Sequence, residues 1–165
     1  MKDSRRFSGW GANNVLFWVI VCLVVVIDQS TKAVVHEYLV LGKLVANFIP
    51  GLIDLFLVYN TGAAFSVGEG ANALFVVIAV IVVAIFSTAV WRERELPFSV
   101  VIPMACVAGG GLGNMIDRLV DGAVTDFLSF HFWTSFPVFN VADIFVTCGC
   151  VMLIIGYLRW ESKRE

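Results

Sequence analysis

Charge is scarce in this sequence. Only 15% of its 165 residues are Asp, Glu, Lys or Arg, where a soluble domain carries about 25%. Histidine is nearly missing too: there are 2 copies, neither with a second His or Cys at a ligand spacing, which argues against a metal site. The 4 cysteines, Cys22, Cys106, Cys148 and Cys150, include no C-x-x-C pair. They offer no zinc or redox motif and read as small buried apolar residues. No G-x-S-x-G elbow is present, and the glycine-rich run at 109–113 lacks the following Lys-Ser/Thr of a phosphate-binding loop. Serine, cysteine and nucleotide chemistry are thereby set aside. Duplicated halves of the transporter kind and low-complexity tracts are also absent.

What is present is apolar: 59% of the chain is AVILMFWYC. Windows 10–27, 71–90, 96–116 and 140–158 approach or reach the roughly 20 residues that cross a bilayer core, and Asp143 is the only charged residue inside them. The expected fold is therefore an α-helical membrane protein with four transmembrane helices. Because the longest stretch between windows, 28–70, is only 43 residues, residues 1–165 are expected to form a single domain. Lys2, Arg5 and Arg6 precede the first span, Arg92 and Arg94 separate the second and third, and Arg159, Lys163 and Arg164 follow the fourth. The positive-inside rule makes that side cytoplasmic, with both termini inside and regions 28–70 and 117–139 outside. The first span starts like a secretory signal, but no small-x-small cleavage site follows, so a retained anchor is expected. Leu44–Ile49 and the apolar run 52–59, separated by Pro50-Gly51, read as strands of a small extracytoplasmic sheet or cap. The segment from His131 to Phe139 reads as an interfacial aromatic belt.

Asp28, Asp117, Asp126 and Asp143 all map to the outer face. An ionisable residue in or beside hydrocarbon is a functional candidate because keeping it there costs several kcal/mol. Asp28 and Asp117 read as helix-end residues paired with Lys32 and Arg118. Asp143 lies near a helix start, where the dipole favours the carboxylate. Asp126 lies in a loop among Val124, Phe127 and Leu128, where desolvation favours the protonated acid. Two carboxyl groups driven apart in this way can divide base and acid roles, the logic of an aspartic protease. Asn60, Asn114 and Asn140 share the outer side and can orient a carboxylate or a peptide; Asn140 reads equally well as a helix N-cap. Gly109–Gly113 allows close approach to the third span. A proton- or cation-coupled transporter would need acids along a path rather than on one face, and an assembly subunit would need no paired Asp.

Five segments then carry a resemblance. Asp28-Gln29-Ser30-Thr31-Lys32, Asn60-Thr61-Gly62-Ala63-Ala64-Phe65, Gly110-Gly111-Leu112-Gly113-Asn114-Met115-Ile116-Asp117-Arg118, Val124-Thr125-Asp126-Phe127 and Phe139-Asn140-Val141-Ala142-Asp143 resemble, in order, the motifs of the lipoprotein signal peptidases, bacterial signal peptidase II. The resemblance implies an integral-membrane aspartyl endopeptidase with Asp126 and Asp143 as catalytic dyad. It implies that Asn60, Gly62, Asn114, Arg118 and Asn140 hold the dyad or substrate, and that Asp28, Lys32 and Asp117 give structural support. No metal or other cofactor is implied. Expected partners are prolipoproteins bearing a diacylglyceryl group, cut just before the lipidated Cys, and membrane lipid, with no nucleic acid and a monomeric enzyme. The expected location is the bacterial cytoplasmic (inner) membrane, with the site facing outward.

Overall fold

A computed structural model describes residues 11–62 and 71–163. Trp10, the basic residues Lys2, Arg5, Arg6 and Arg164, and Ala63, Ala64 and Phe65 of the second motif lie outside the described residues. Where no water can solvate a peptide group, a spanning segment has to close its own hydrogen bonds, and the four apolar windows accordingly form helices. These are α1 (Ala12–Tyr38), α2 (Asn72–Arg92), α3 (Phe98–Val120) and α4 (Val141–Glu161), each long and apolar enough to cross a membrane. Three strands complete the fold: β1 (Leu44–Ile49), β2 (Ile53–Asn60) and β3 (Val124–Phe130).

Helix α1 does not stop at the expected boundary of residue 27. It continues to Tyr38 because its polar turn has somewhere to go: buried Asn14, Phe17, Val21, Val24, Asp28, Lys32 and Val35 form one unbroken stripe at three- and four-residue steps. Helix α3 is the central element, with 56% of its apolar window buried against 6% for α2. Its small face makes that centrality feasible. A Cβ on Gly109 would lie 2.7 Å from the Cβ of Val24 on α1, and one on Gly110 would lie 2.5 Å from the Ala142 carbonyl oxygen on α4. Cys106 is buried as expected; Cys22, Cys148 and Cys150 are instead exposed, and a small apolar thiol is as compatible with lipid as with a core.

The sheet is antiparallel in the order β1-β2-β3. Pro50-Gly51 turns the chain between the first two strands as expected, with Gly51 at φ 69°. The third strand departs from the expected loop. Val124–Phe130 is held by β2 in the register Val58↔Asp126, Tyr59↔Thr125 and Asn60↔Val124. Beyond it, the Leu128 and Phe127 N–H groups donate to the Phe139 carbonyl at 2.8 and 3.0 Å, so the residue before Asn140 is fastened to the strand carrying Asp126. The aromatic segment also differs from a plain belt: Phe130 packs on Phe139 and Phe136 at centroid distances of 5.1 and 5.2 Å. Chain connectivity puts the sheet at the end of the bundle where α1 and α3 finish and α2 and α4 begin. At the opposite end, Asn13 Nδ2 donates to the carbonyls of Arg94 and Leu96, tying the start of α1 to the basic α2–α3 connection.

The contact between Gly110 and the α4 backbone gives a direct check. Gly110→Ala must push α4 away from α3, because a carbonyl oxygen cannot rotate aside as a side chain can. A loss of about 1–3 kcal/mol is expected for such overpacking, measurable as a lowered thermal midpoint of the purified protein.

Candidate active site

Asp126 sits on β3 and is only 2% exposed; Asp143 occupies the first turn of α4. Asn140 joins them. Its Oδ1 accepts from the Asp143 backbone N–H at 3.0 Å, while its own backbone N–H donates to Asp143 Oδ2 at 3.0 Å. This reciprocal capping box satisfies two otherwise unpaired donors at the helix start. The Asn140 amide nitrogen then donates to Asp126 Oδ1 at 2.7 Å and to Asn114 Oδ1 at 2.9 Å. Asn140 therefore caps α4 as expected and, with the same side chain, donates to the second carboxyl group.

The remaining carboxyl oxygens are engaged in the same sense. Asn114 Nδ2 donates to Asp143 Oδ1 at 2.8 Å, and Asn60 Nδ2 donates to Asp126 Oδ2 at 2.9 Å. Asn60 is oriented in turn by the Gly62 N–H, which donates to its Oδ1 at 2.9 Å. Burial pushes the Asp126 carboxyl up to about 7; the charge of Asp143 acts in the same direction, against the amide donors of Asn60 and Asn140 and the Lys32 charge. The shift runs in the direction expected for an acid among apolar neighbours, but Asp126 lies on a strand rather than in a loop. Asp126, Asp143 and Asn60 line one cavity of about 300 Å³ whose other walls include Phe130, Phe139, Ile144 and Thr147. Ile144 and Thr147 were not singled out from sequence, although the helical period places both one turn or less from Asp143.

Behind this pair lies a buried ion cluster. Lys32 is 3% exposed, and its Nζ lies 2.8 Å from Asp28 Oδ2, 2.9 Å from Asp117 Oδ2 and 2.9 Å from Asn114 Oδ1. All three ammonium donors are thus used. The expected Asp117–Arg118 pair is not formed. Adjacent helical residues face different directions, so Asp117 turns to Lys32 across the α1–α3 contact. Arg118 donates to the Gly62 carbonyl at 2.8 Å and lies 4.8 Å from the Phe75 ring centroid. Asp28 Oδ1 accepts from the Ala142 N–H at 2.9 Å, and Asp117 Oδ2 accepts from the Thr125 N–H at 3.0 Å. The two acids therefore reach α4 and β3, the elements carrying Asp143 and Asp126. Gln29, unassigned from sequence beyond its motif, donates to Asp117 Oδ1 at 2.8 Å and helps close the cluster.

The arrangement is a pair of carboxyl groups on an apolar cavity, braced by three amides and one buried cation. The profile of the family described as signal peptidase (SPase) II matches residues 20–159, a range that contains all of these groups. The chain belongs to the signal peptidase II family. It is 37% identical over 146 residues to the lipoprotein signal peptidase of Streptococcus pneumoniae, covering 87% of this chain and 92% of that one. To the lipoprotein signal peptidase of Neisseria gonorrhoeae it is 39% identical over 156 residues, covering 90% and 93%. A bacterial membrane enzyme solved by the in meso method superposes with a TM-score of 0.81 at 28% identity, covering 91% of this chain and 92% of that one. As a signal peptidase II this is a protease of lipoprotein processing and a multi-pass bacterial membrane protein.

The ion cluster predicts a stability effect separable from chemistry. Asp28→Ala strands the Ala142 N–H and leaves Lys32 short of a carboxylate, a loss of about 3–5 kcal/mol by analogy with broken buried pairs. Asp28→Asn keeps one carbonyl acceptor and should lose less. Thermal unfolding of the two purified variants in detergent checks the order.

Proposed function

We propose that this signal peptidase II removes the signal peptide from diacylglyceryl-modified prolipoproteins by cutting just before the lipidated Cys, with Asp126 and Asp143 as its catalytic pair. The observation that carries this reading is the convergence of the two carboxyl groups, from a strand and a helix start, on one cavity through the shared amide of Asn140. No metal or other cofactor enters the reaction as proposed.

In this mechanism Asp143 is the carboxylate that takes a proton from water, and the resulting oxygen attacks the scissile carbonyl. Asp126 gives its proton to the carbonyl oxygen, so a neutral gem-diol forms. The proton held by Asp143 then passes to the leaving nitrogen as the C–N bond breaks. One diol hydroxyl returns its proton to Asp126. The products are a new carboxyl end on the signal peptide and a free amino group on the lipidated Cys. Asn60, Asn114 and Asn140 hold the pair in register; Gly62 acts one step back through Asn60, and Arg118 behind it through Gly62.

The basic residues Arg92, Arg94, Arg159 and Lys163 belong to the end of the bundle away from the sheet, which supports a cytoplasmic assignment for that end and for both termini. The site then faces outward from the cytoplasmic (inner) membrane, at the depth where a membrane-inserted signal peptide presents its cleavage site. The apolar cavity walls fit a substrate whose lipid chains stay in the bilayer, and a monomer is sufficient because both acids come from one chain.

Asp126→Asn and Asp143→Asn are each expected to lower cleavage of a lipidated precursor by at least about 100-fold while leaving a folded, membrane-inserted protein. Normal turnover in either variant rejects the pair. An unlipidated precursor should remain uncut by the wild-type enzyme.

The pH dependence follows from the acid. With Asp126 raised to about 7, it holds its proton below that value and loses it as the pH climbs, so kcat is expected to fall on the alkaline side of neutrality. Among the described residues, the charged groups around the pair are Lys32 and Asp28 on α1 and Asp117 and Arg118 on α3. Measuring kcat against pH with a saturating lipidated precursor checks the direction.

A further inference from the structure

The hydrogen bonds around the two carboxyl groups all run one way, and groups that can only donate set the direction. An asparagine side chain presents an oxygen at one end and an NH2 at the other, so each amide could in principle face either way. Asn140 cannot turn, because its Oδ1 is needed by the Asp143 backbone N–H. Asn60 is held in the same manner by the Gly62 N–H. Asn114 has no backbone N–H on its oxygen. What faces Asn114 Oδ1 is the Lys32 ammonium at 2.9 Å together with the Asn140 amide nitrogen at 2.9 Å. Turned around, Asn114 would set its NH2 against both donors and its oxygen against Asp143 Oδ1. Lys32 cannot swing away from this position, because its other two donors are taken by Asp28 and Asp117.

We propose that Lys32 is a positioning residue for the cleavage reaction: its donor-only head keeps the Asn114 amide turned so that N–H groups, and never oxygens, face the Asp126–Asp143 pair from within the protein. Asp126 Oδ1 and Oδ2 and Asp143 Oδ1 and Oδ2 each accept one such N–H. A carboxyl oxygen has a second lone pair, and that position is left for the proton that moves during catalysis. The buried amides offer this proton no acceptor, so it is confined to the cavity side, where water and the scissile carbonyl meet the pair. Lys32 thus acts on the reaction through Asn114, beyond its role in holding α1 to α3. This inference rests on the reading of Asp126 and Asp143 as the catalytic pair.

The test uses the full chain in detergent or nanodiscs, a lipidated precursor, and kcat and KM measured across pH alongside thermal unfolding. Lys32→Gln replaces a donor-only head by an amide that can face Asn114 with either end. Making it together with Asp117→Asn keeps the charge of the cluster unchanged, so that loss of an ion pair does not dominate. Asn114→Asp keeps an acceptor toward Lys32 and Asn140 but puts an oxygen where Asp143 requires a donor. The expected result is that both proteins fold, that kcat falls by about 10-fold or more for Lys32→Gln/Asp117→Asn and by about 100-fold for Asn114→Asp, and that KM changes little. The acid-side limb of the kcat profile moves to higher pH in both, because a pair that has lost an N–H donor holds negative charge less well. Combining all three substitutions should lower kcat no further than Asn114→Asp alone, the non-additivity expected of residues acting along one chain of contacts.

Wild-type kcat and pH profile in Lys32→Gln/Asp117→Asn would overturn the proposal, and so would losses that simply multiply in the combined variant. Failure of either protein to fold would overturn it as well, since it would assign Lys32 or Asn114 an architectural role only. If instead Asp126→Asn or Asp143→Asn turned over normally, the catalytic pair itself would be wrong, a result distinct from an unimpaired Lys32 variant beside two inactive aspartate variants.

Discussion

A charge buried beside hydrocarbon has to be met by partners inside the protein, and in this fold one such charge organises the end of the bundle that carries the site. Lys32 draws Asp28 of its own helix and Asp117 of α3 onto a single ammonium. Each acid then uses an oxygen on a backbone N–H elsewhere: Asp28 on Ala142 at the start of α4, Asp117 on Thr125 in β3. Four elements are thereby fixed relative to one another by groups that tolerate little displacement, since a stretched buried pair loses its compensation without regaining water. Two of the four elements carry Asp126 and Asp143. The precision that the proposed two-acid mechanism requires would be inherited from the ion cluster behind it.

The two acids stand in different local settings. Asp126 projects from a strand between apolar neighbours and is driven toward its protonated form by burial. Asp143 stands in the first turn of a helix, inside a capping box whose backbone donor accompanies the positive end of the helix dipole. Side chains identical in chemistry are made different by the secondary structure that holds them. The glycines of α3 are part of this: a Cβ on Gly113 would lie 2.5 Å from Asp28 Oδ2, so the helix approach that forms the ion cluster requires a residue without a side chain.

Much of this was legible in the residues. The helices followed from apolar length, and the hairpin of β1 and β2 from two apolar runs around Pro50-Gly51. The motifs named the polar residues that gather at the site. Strand β3 was not legible, because seven residues with an Asp at the third position have no distinctive local pattern; pairing with β2 decides their conformation. The continuation of α1 past residue 27 was hidden for a similar reason. A polar turn in Asp28-Gln29-Ser30-Thr31-Lys32 looks like a helix end until α3 supplies partners. Phe130, Phe136 and Phe139 read as a belt by composition, but they cluster against one another and line the cavity.

Residue order along the chain is enough to dictate four helices with the acids gathered at one end, because hydropathy and helix length are properties of some twenty consecutive residues and need no partner. Which acid meets which cation, and which way each amide faces, depends instead on the packed fold. Asn60 and Asp126 are 66 residues apart, and Asp28 and Ala142 are 114 apart. Contacts at such separations depend on how whole helices pack, and the hydrogen-bond direction they impose is written in no local stretch of the chain.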